Sequence, residues 1–303
     1  MRLLHLLMLT SAAALHSATV QLPGREPPGR ALPGYAYTVR IAARPVAHGN
    51  ASVPPAMDAQ SFTGHAVVAA GRGRLDIVEG GAEGMFQKGD YLLFDSSDVV
   101  IVHPATKEFV AVARDGTSGA LQQLDALGAR LTLSEEKVTL DSLGGGDTVS
   151  GVPTRRYRMT VAFNMALDAG VTQQRLATES TTEYWIASIP DMPPNPLLRV
   201  NGLAGGMGGA PMFGTIAARV DSVAARMGTA IALRTRGTTH VLLGPGATLE
   251  TEQNSEVTDL RRTQIDASVL MISPNFKLTP PPGGEINASA TDAARKWLSM
   301  PAR

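Results

Sequence analysis

Arg72–Ala113, RGRLDIVEGGAEGMFQKGDYLLFDSSDVVIVHPATKEFVAVA, decides the fold. Leu75 and Ile77 are separated from Met85 and Phe86 by Glu79-Gly80-Gly81-Ala82-Glu83-Gly84. Tyr91–Phe94 follows Lys88-Gly89-Asp90, and Val99–Val102 follows Asp95-Ser96-Ser97-Asp98. Phe109–Val112 follows His103-Pro104-Ala105-Thr106-Lys107. Apolar runs this short, set between Gly, Asp, Ser and Pro clusters, are what a β-meander requires, because each turn must supply positive φ or fix φ in advance.

The same periodicity extends outward. Tyr35–Val46 alternates Tyr37, Val39 and Ile41 against Thr38, Arg40 and Ala42, and Phe62–Ala70 reads as the next strand. Ser118–Gly128 places Leu121, Leu124 and Leu127 at helical spacing between a Ser start and a Gly stop. Arg130–Leu143 alternates, with Gly144–Asp147 as its expected turn. Arg156–Val161 alternates again, and Gln174–Ile189 carries the Thr, Tyr, Trp and Ile residues that suit a pleated sheet. Residues 191–209 are apolar but interrupted by Pro and Gly. Met212–Met227 then aligns Phe213, Ile216, Ala217, Val220, Ala224 and Met227 on one helical stripe. Strands are expected over Thr229–Leu243, Leu249–Arg262 and Ser268–Ile272, followed by a short helix near Asp292–Leu298. No βαβ alternation appears, so the expected class is mostly β (α+β), with ten or more antiparallel strands and two helices besides the short one in the tail.

Composition narrows the function classes. Twenty-seven Lys plus Arg balance 27 Asp plus Glu, which argues against a nucleic-acid binder that must release counterions with a basic surface. A hydrophobic content of 44% over 303 residues is enough for a substantial core. No cysteine is present, so disulfides, thiol catalysis and Cys-ligated zinc are excluded. Arg2, the short apolar run Leu3–Leu15 and the small residues Ala12–Ala14 and Ser17-Ala18 read as a signal peptide rather than a membrane span. The expected location is therefore periplasmic or secreted, without a lipid-bearing cysteine at the cleavage site and without a later transmembrane segment.

GRGRLDIVEG, DYLLF with VVIVHPATKEFV, VSGVPTRRYRMTV, STTEYWIASIP, a Met/Gly/Pro-rich insertion and TEQNSEVTDLRRTQIDASVLMISPNFKL follow one another in this order. This order resembles the bacterial outer-membrane lipoprotein carriers and their secreted relatives, over about residues 35–278. The resemblance implies an antiparallel open β-barrel, or half-barrel, wrapped around helices, with a hydrophobic interior able to take an acyl chain. It carries no catalytic residue onto this chain, and the carriers themselves are shorter. The expected organisation is a signal peptide at 1–18, a Pro-rich linker at 19–34 and one open-barrel domain at 35–278 with a helical insertion at 191–228. A mobile Pro/Gly/Ala-rich tail at 279–303 completes it.

The candidate ligand-lining residues are Tyr184 and Trp185 on the sheet, with Leu197, Leu198, Leu203, Met207, Met212, Phe213, Ile216 and Val220 in the insertion. Methionines 192, 207, 212 and 227 cluster there in sequence, and flexible thioethers fill irregular apolar space. His48, His65, His103 and His240 lack metal-ligand spacing, and the Gly runs lack a phosphate-loop context. No nucleophile elbow or paired carboxylates stand out. The expectation is a non-enzymatic protein without cofactor or metal, binding a lipid or other apolar small molecule. The alternative is an envelope protein-interaction module whose helical insertion plugs the barrel.

Overall fold

The computed structural model describes residues 31–53, 60–82, 86–96, 98–112, 130–168, 173–193, 214–227, 231–280 and 288–298. The expected signal peptide, the helix at 118–128 and most of the insertion lie outside them.

Two meanders build the sheet. The first runs β1 (Ala31–Gly49), β2 (Gln60–Ala69), β3 (Arg72–Ala82), β4 (Phe86–Gln87), β5 (Tyr91–Phe94), β6 (Val99–His103) and β7 (Glu108–Val112). The second runs β8 (Arg130–Val149), β9 (Val152–Asp168), β10 (Gln173–Ala187), β11 (Ile231–Gly244) and β12 (Ala247–Asp266). They join where β1 pairs antiparallel with β12 along its whole length, from Ala31 opposite Asp266 to Gly49 opposite Ala247. β13 (Lys277–Leu278) adds in parallel to β7. The order is β13-β7-β6-β5-β3-β2-β1-β12-β11-β10-β9-β8, with β4 beside β3, so the sheet is open and its two ends do not meet. The mostly-β, open-sheet expectation holds.

Local chemistry explains the hairpins. Ala70 and Gly71, with φ of 50° and 76°, close β2–β3, and Ser150 and Gly151, with φ of 47° and 77°, close β8–β9. Two consecutive positive φ values match the twist of paired strands. The β8 turn therefore lies beyond the expected Gly144–Asp147, which instead continues the strand through two register shifts. A third shift falls between Ser134 and Lys137. Bulges of this kind twist a long end strand away from flat pairing with another chain.

Three further expectations are corrected. Residues 31–34, assigned to the linker, already pair with β12. Ser268–Ile272 is not a strand: Asp266 accepts the Ser268 N–H at 2.9 Å and starts a 3₁₀ turn over Ala267–Leu270. The tail is not mobile throughout. The short helix expected near Asp292–Leu298 is present, starts four residues earlier at Ala288, and docks on the sheet.

Strand alternation sorts side chains onto two faces. The first face carries Ile101, Leu92, Leu75, Ala66 and Tyr37, each opposite the next. It continues through Ile41, Ser255, Thr235 and Tyr184. Its main core gathers Tyr37, Val39, Ile41, Val68, Leu75, Ile77, Leu92, Phe94, Leu233 and Val257. The opposite, second face carries Tyr91, Leu93, Val100, Val102 and Phe109, covered by Ala290, Ala293, Ala294 and Trp297 of the C-terminal helix.

That helix is fastened at its end. Lys296 Nζ lies 2.5 Å from Asp95 and 2.6 Å from Asp98. Burial alone would pull the lysine pKa down, but its hydrogen bonds to both carboxylates and their negative charge outweigh it and hold it above the ordinary 10.5. A raised lysine pKa stabilises the fold below the unfolded value, and that contribution is lost as pH climbs through the folded one. Lys296→Met is expected to cost about 1 kcal/mol at neutral pH after solvent screening. The deficit against wild type should shrink in urea titrations run at increasingly alkaline pH. A pH-independent deficit would mean that the stem, not the charge, holds the helix.

Candidate functional site

Helix α1 (Gly214–Ala224), continued as a 3₁₀ turn over Ala225–Met227, lies on the first face at the β8–β10 end. Its stripe works as the periodicity predicts: Ile216 and Val220, four residues apart, are buried against Met159, Phe163, Tyr184 and Ile186. Arg219, on the outer side, donates to the Glu136 carbonyl at 3.0 Å and faces its carboxylate at 3.4 Å. A recess of about 550 Å³ opens along this seam, lined by Ser134, Glu135, Glu136, Ala218 and Arg219.

Next to the apolar patch the first face turns hydroxylic. Thr178, Thr235 and Ser255 are buried, the Thr235 and Ser255 hydroxyls lie 2.5 Å apart, and those of Ser180 and Thr239 2.9 Å apart. The Thr178 hydroxyl is buried without a hydrogen-bond partner among the described residues. Burial pushes the Tyr184 phenol far above its usual range, so it stays protonated and offers no base.

Four of the ten candidate residues fall within the described residues, and the structure separates them. Tyr184, Ile216 and Val220 meet in one cluster. Trp185, the next residue along β10, projects to the opposite side of its strand from Tyr184 and joins the main core cluster instead of theirs. Leu197, Leu198, Leu203, Met207, Met212 and Phe213 lie outside the described residues. Met192 joins the main core while Met227 packs beside α1, so these two methionines do not share a site.

Sequence reasoning missed the second face of β9–β12. Trp185 sits opposite Arg156 on one side and Arg234 on the other. The guanidinium carbons of Arg156, Arg234 and Arg236 all lie 5.6 Å from its ring. Attraction of a cation to the ring face holds such an arrangement, and Glu183 and Glu256 neutralise part of it: Glu183 pairs Arg156 at 3.6 Å and Glu256 pairs Arg234. Gly146 permits the close approach of β8, since a Cβ there would stand 2.5 Å from the Thr154 hydroxyl and 3.2 Å from Trp185. The arginines are spread over β9 and β11, far apart in sequence, and only the pairing register reveals their meeting around one ring.

Beside this row a groove of about 700 Å³ runs over β11, β12, β1 and β2, lined among others by Arg40, Arg234, Arg236, Asn254 and Glu256. Its rim is charged, unlike the apolar cup expected from the sequence.

The four described histidines have polar partners. His103 meets the buried Asp90 at 2.9 Å and His65 meets Thr38 at 3.1 Å. His48 and His240 both approach Glu250, at 3.4 and 3.5 Å. Among the described residues no group of three or more His, Asp or Glu side chains is placed to hold a metal ion. No described helix is long and apolar enough to cross a membrane.

No family model matches this sequence, and no curated protein does. Among solved structures, the chain is similar to an uncharacterised conserved protein from Thermus thermophilus. The identity is 10% and the TM-score 0.29, over 81% of this chain and 90% of that one.

Proposed function

We propose that this is a non-enzymatic periplasmic or secreted protein that takes a lipid or other apolar ligand on the first face, between strands β8–β11 and helix α1. The observation that carries the reading is how lightly α1 covers its apolar patch. Among the described residues, two fully buried side chains, Ile216 and Val220, the partly buried Val223, Ala224 and Met227, and the contact of Arg219 with Glu136 attach it. Burial of two such side chains is worth roughly 3–6 kcal/mol before the entropy of ordering the helix is subtracted. An acyl chain burying comparable area against Met159, Phe163 and Ile186 could replace that contact, entering by the seam at Glu136 and Arg219. The signal-peptide pattern and the resemblance to lipoprotein carriers support the same reading.

The second reading is an envelope protein-interaction module in which α1 is a permanent plug. Close packing favours it, because Tyr184, Ile216 and Val220 are all buried. Native mass spectrometry of the protein purified from a bacterial periplasm, with lipid thermal shifts, separates the two. A ligand binder is expected to carry an organic-extractable adduct and to gain melting temperature with long-chain lipids. Val220→Asp should abolish that gain while leaving the sheet folded. A clean mass, no shift with any fatty acid or phospholipid, and outright unfolding of Val220→Asp would reject ligand binding in favour of the plug.

A further inference from the structure

The second-face groove is a separate feature that the apolar-ligand reading does not use. Its charged residues come from a continuous cross-strand row. Arg156, Trp185, Arg234, Glu256, Arg40, Thr63 and Glu79 each stand opposite the next across seven strands, β9, β10, β11, β12, β1, β2 and β3. The adjacent row runs Glu183, Arg236, Asn254, Ala42, Ser61.

Charge within the groove is unevenly compensated. Glu256 grips Arg234, with Asp147 adding a contact at 3.4 Å. Arg40 and Arg236 are exposed, and among the described residues neither has a carboxylate within ion-pair distance. Trp185 flanks Arg236 without neutralising it. Two strand spacings across and two residues along put the backbones of Arg40 and Arg236 about 12 Å apart. That separation is within reach of two long guanidinium side chains turned towards one central group, Arg236 leaving its place over Trp185 to do so. The floor between them is short-chained: Ala42, Ser61 and Asn254 leave room, and Asn254 and Ser61 carry neutral donors. Glu79, at the far end on β3, disfavours an extended polyanion lying along the whole groove.

We propose that this groove binds a single phosphate monoester, held by the guanidinium forks of Arg40 and Arg236 over Asn254 and Ser61. Two guanidinium groups without an ion-pair partner among the described residues suit the dianion of a phosphate monoester, and the planar forks match its oxygens two at a time. The same chemistry is offered by a soluble organic phosphate and by the headgroup of phosphatidic acid.

Titration calorimetry on the full chain, at fixed ionic strength set with chloride, tests the proposal. The probes are inorganic phosphate, glycerol phosphate, phosphatidic acid vesicles and phosphatidylcholine vesicles as the uncharged-surface control. Saturable binding of the soluble phosphates supports a free ligand. Binding of phosphatidic acid vesicles alone, without phosphatidylcholine binding, supports a lipid headgroup. In either case Arg40→Gln and Arg236→Gln are each expected to weaken binding at least tenfold, while Arg226→Gln in the exposed 3₁₀ turn after α1 leaves it unchanged. Both groove variants change exposed side chains, and matching melting curves would show that they stay folded. Absence of binding by all phosphate probes, or binding indifferent to both groove substitutions, overturns the proposal. These outcomes are independent of fatty-acid binding under α1, so either reading can fail alone.

Discussion

Trp297→Ala is expected to lower stability by about 3–5 kcal/mol, the range for emptying a buried aromatic site. Trp297 is 1% exposed and forms the centre of the cluster that the C-terminal helix makes with Tyr91, Leu93, Val102, Phe109 and Ile272. Arg72 adds a cation over its ring at 5.7 Å. The indole N–H is buried without a partner among the described residues. Trp297→Phe therefore keeps most of the apolar area, removes an unsatisfied donor, and should cost far less than alanine. Urea unfolding followed by circular dichroism measures both, and hydrogen exchange should show residues 288–298 losing protection first. If alanine costs under about 1 kcal/mol, the helix is an ornament on the sheet rather than part of its core.

Gly73→Val should be almost as damaging, by overpacking instead of a cavity. Gly73 stands directly opposite Phe94, and the Phe94 ring lies over the glycine so closely that a Cβ would enter the ring's van der Waals envelope. Phe94 is fully buried in the main core and has nowhere to move. Forcing atoms into a packed site of this kind costs about 1–3 kcal/mol or more. Gly71, two residues earlier at φ 76°, has open space where its Cβ would be. Its replacement by alanine should cost only the backbone strain, about 1 kcal/mol. The double variant Gly73→Val/Phe94→Ala should be less destabilised than the sum of its parts, since each change relieves the other. Additive losses would show that the two residues do not compete for one space.

The meander around Arg72–Ala113 was legible because its information is local. Gly89 and Lys107 take positive φ within the expected turns, and the apolar runs became β5, β6 and β7. Helix α1 was legible for the same reason, its stripe setting Ile216 and Val220 on one side. The departure at Ser268–Ile272 also has a local cause: a short apolar-rich run fits a strand or a capped turn equally well, and the Asp266 side chain tips the balance.

Sequence alone determined the strand content, the balanced net charge and the absence of thiol chemistry, since each depends on composition or on residues within a few positions of one another. Tertiary structure alone decided three things. It joined the two meanders by pairing β1 with β12, strands from opposite ends of the described chain. It docked the short helix expected in the Pro/Gly/Ala-rich tail onto the sheet through Lys296 and Trp297. It also set Arg234 and Arg236 of β11 beside Trp185 and placed Arg40 of β1 in the same cross-strand row. The physical reason is common to all three. Periodicity fixes which way a side chain points relative to its own strand, whereas the register between strands distant in sequence fixes what it meets.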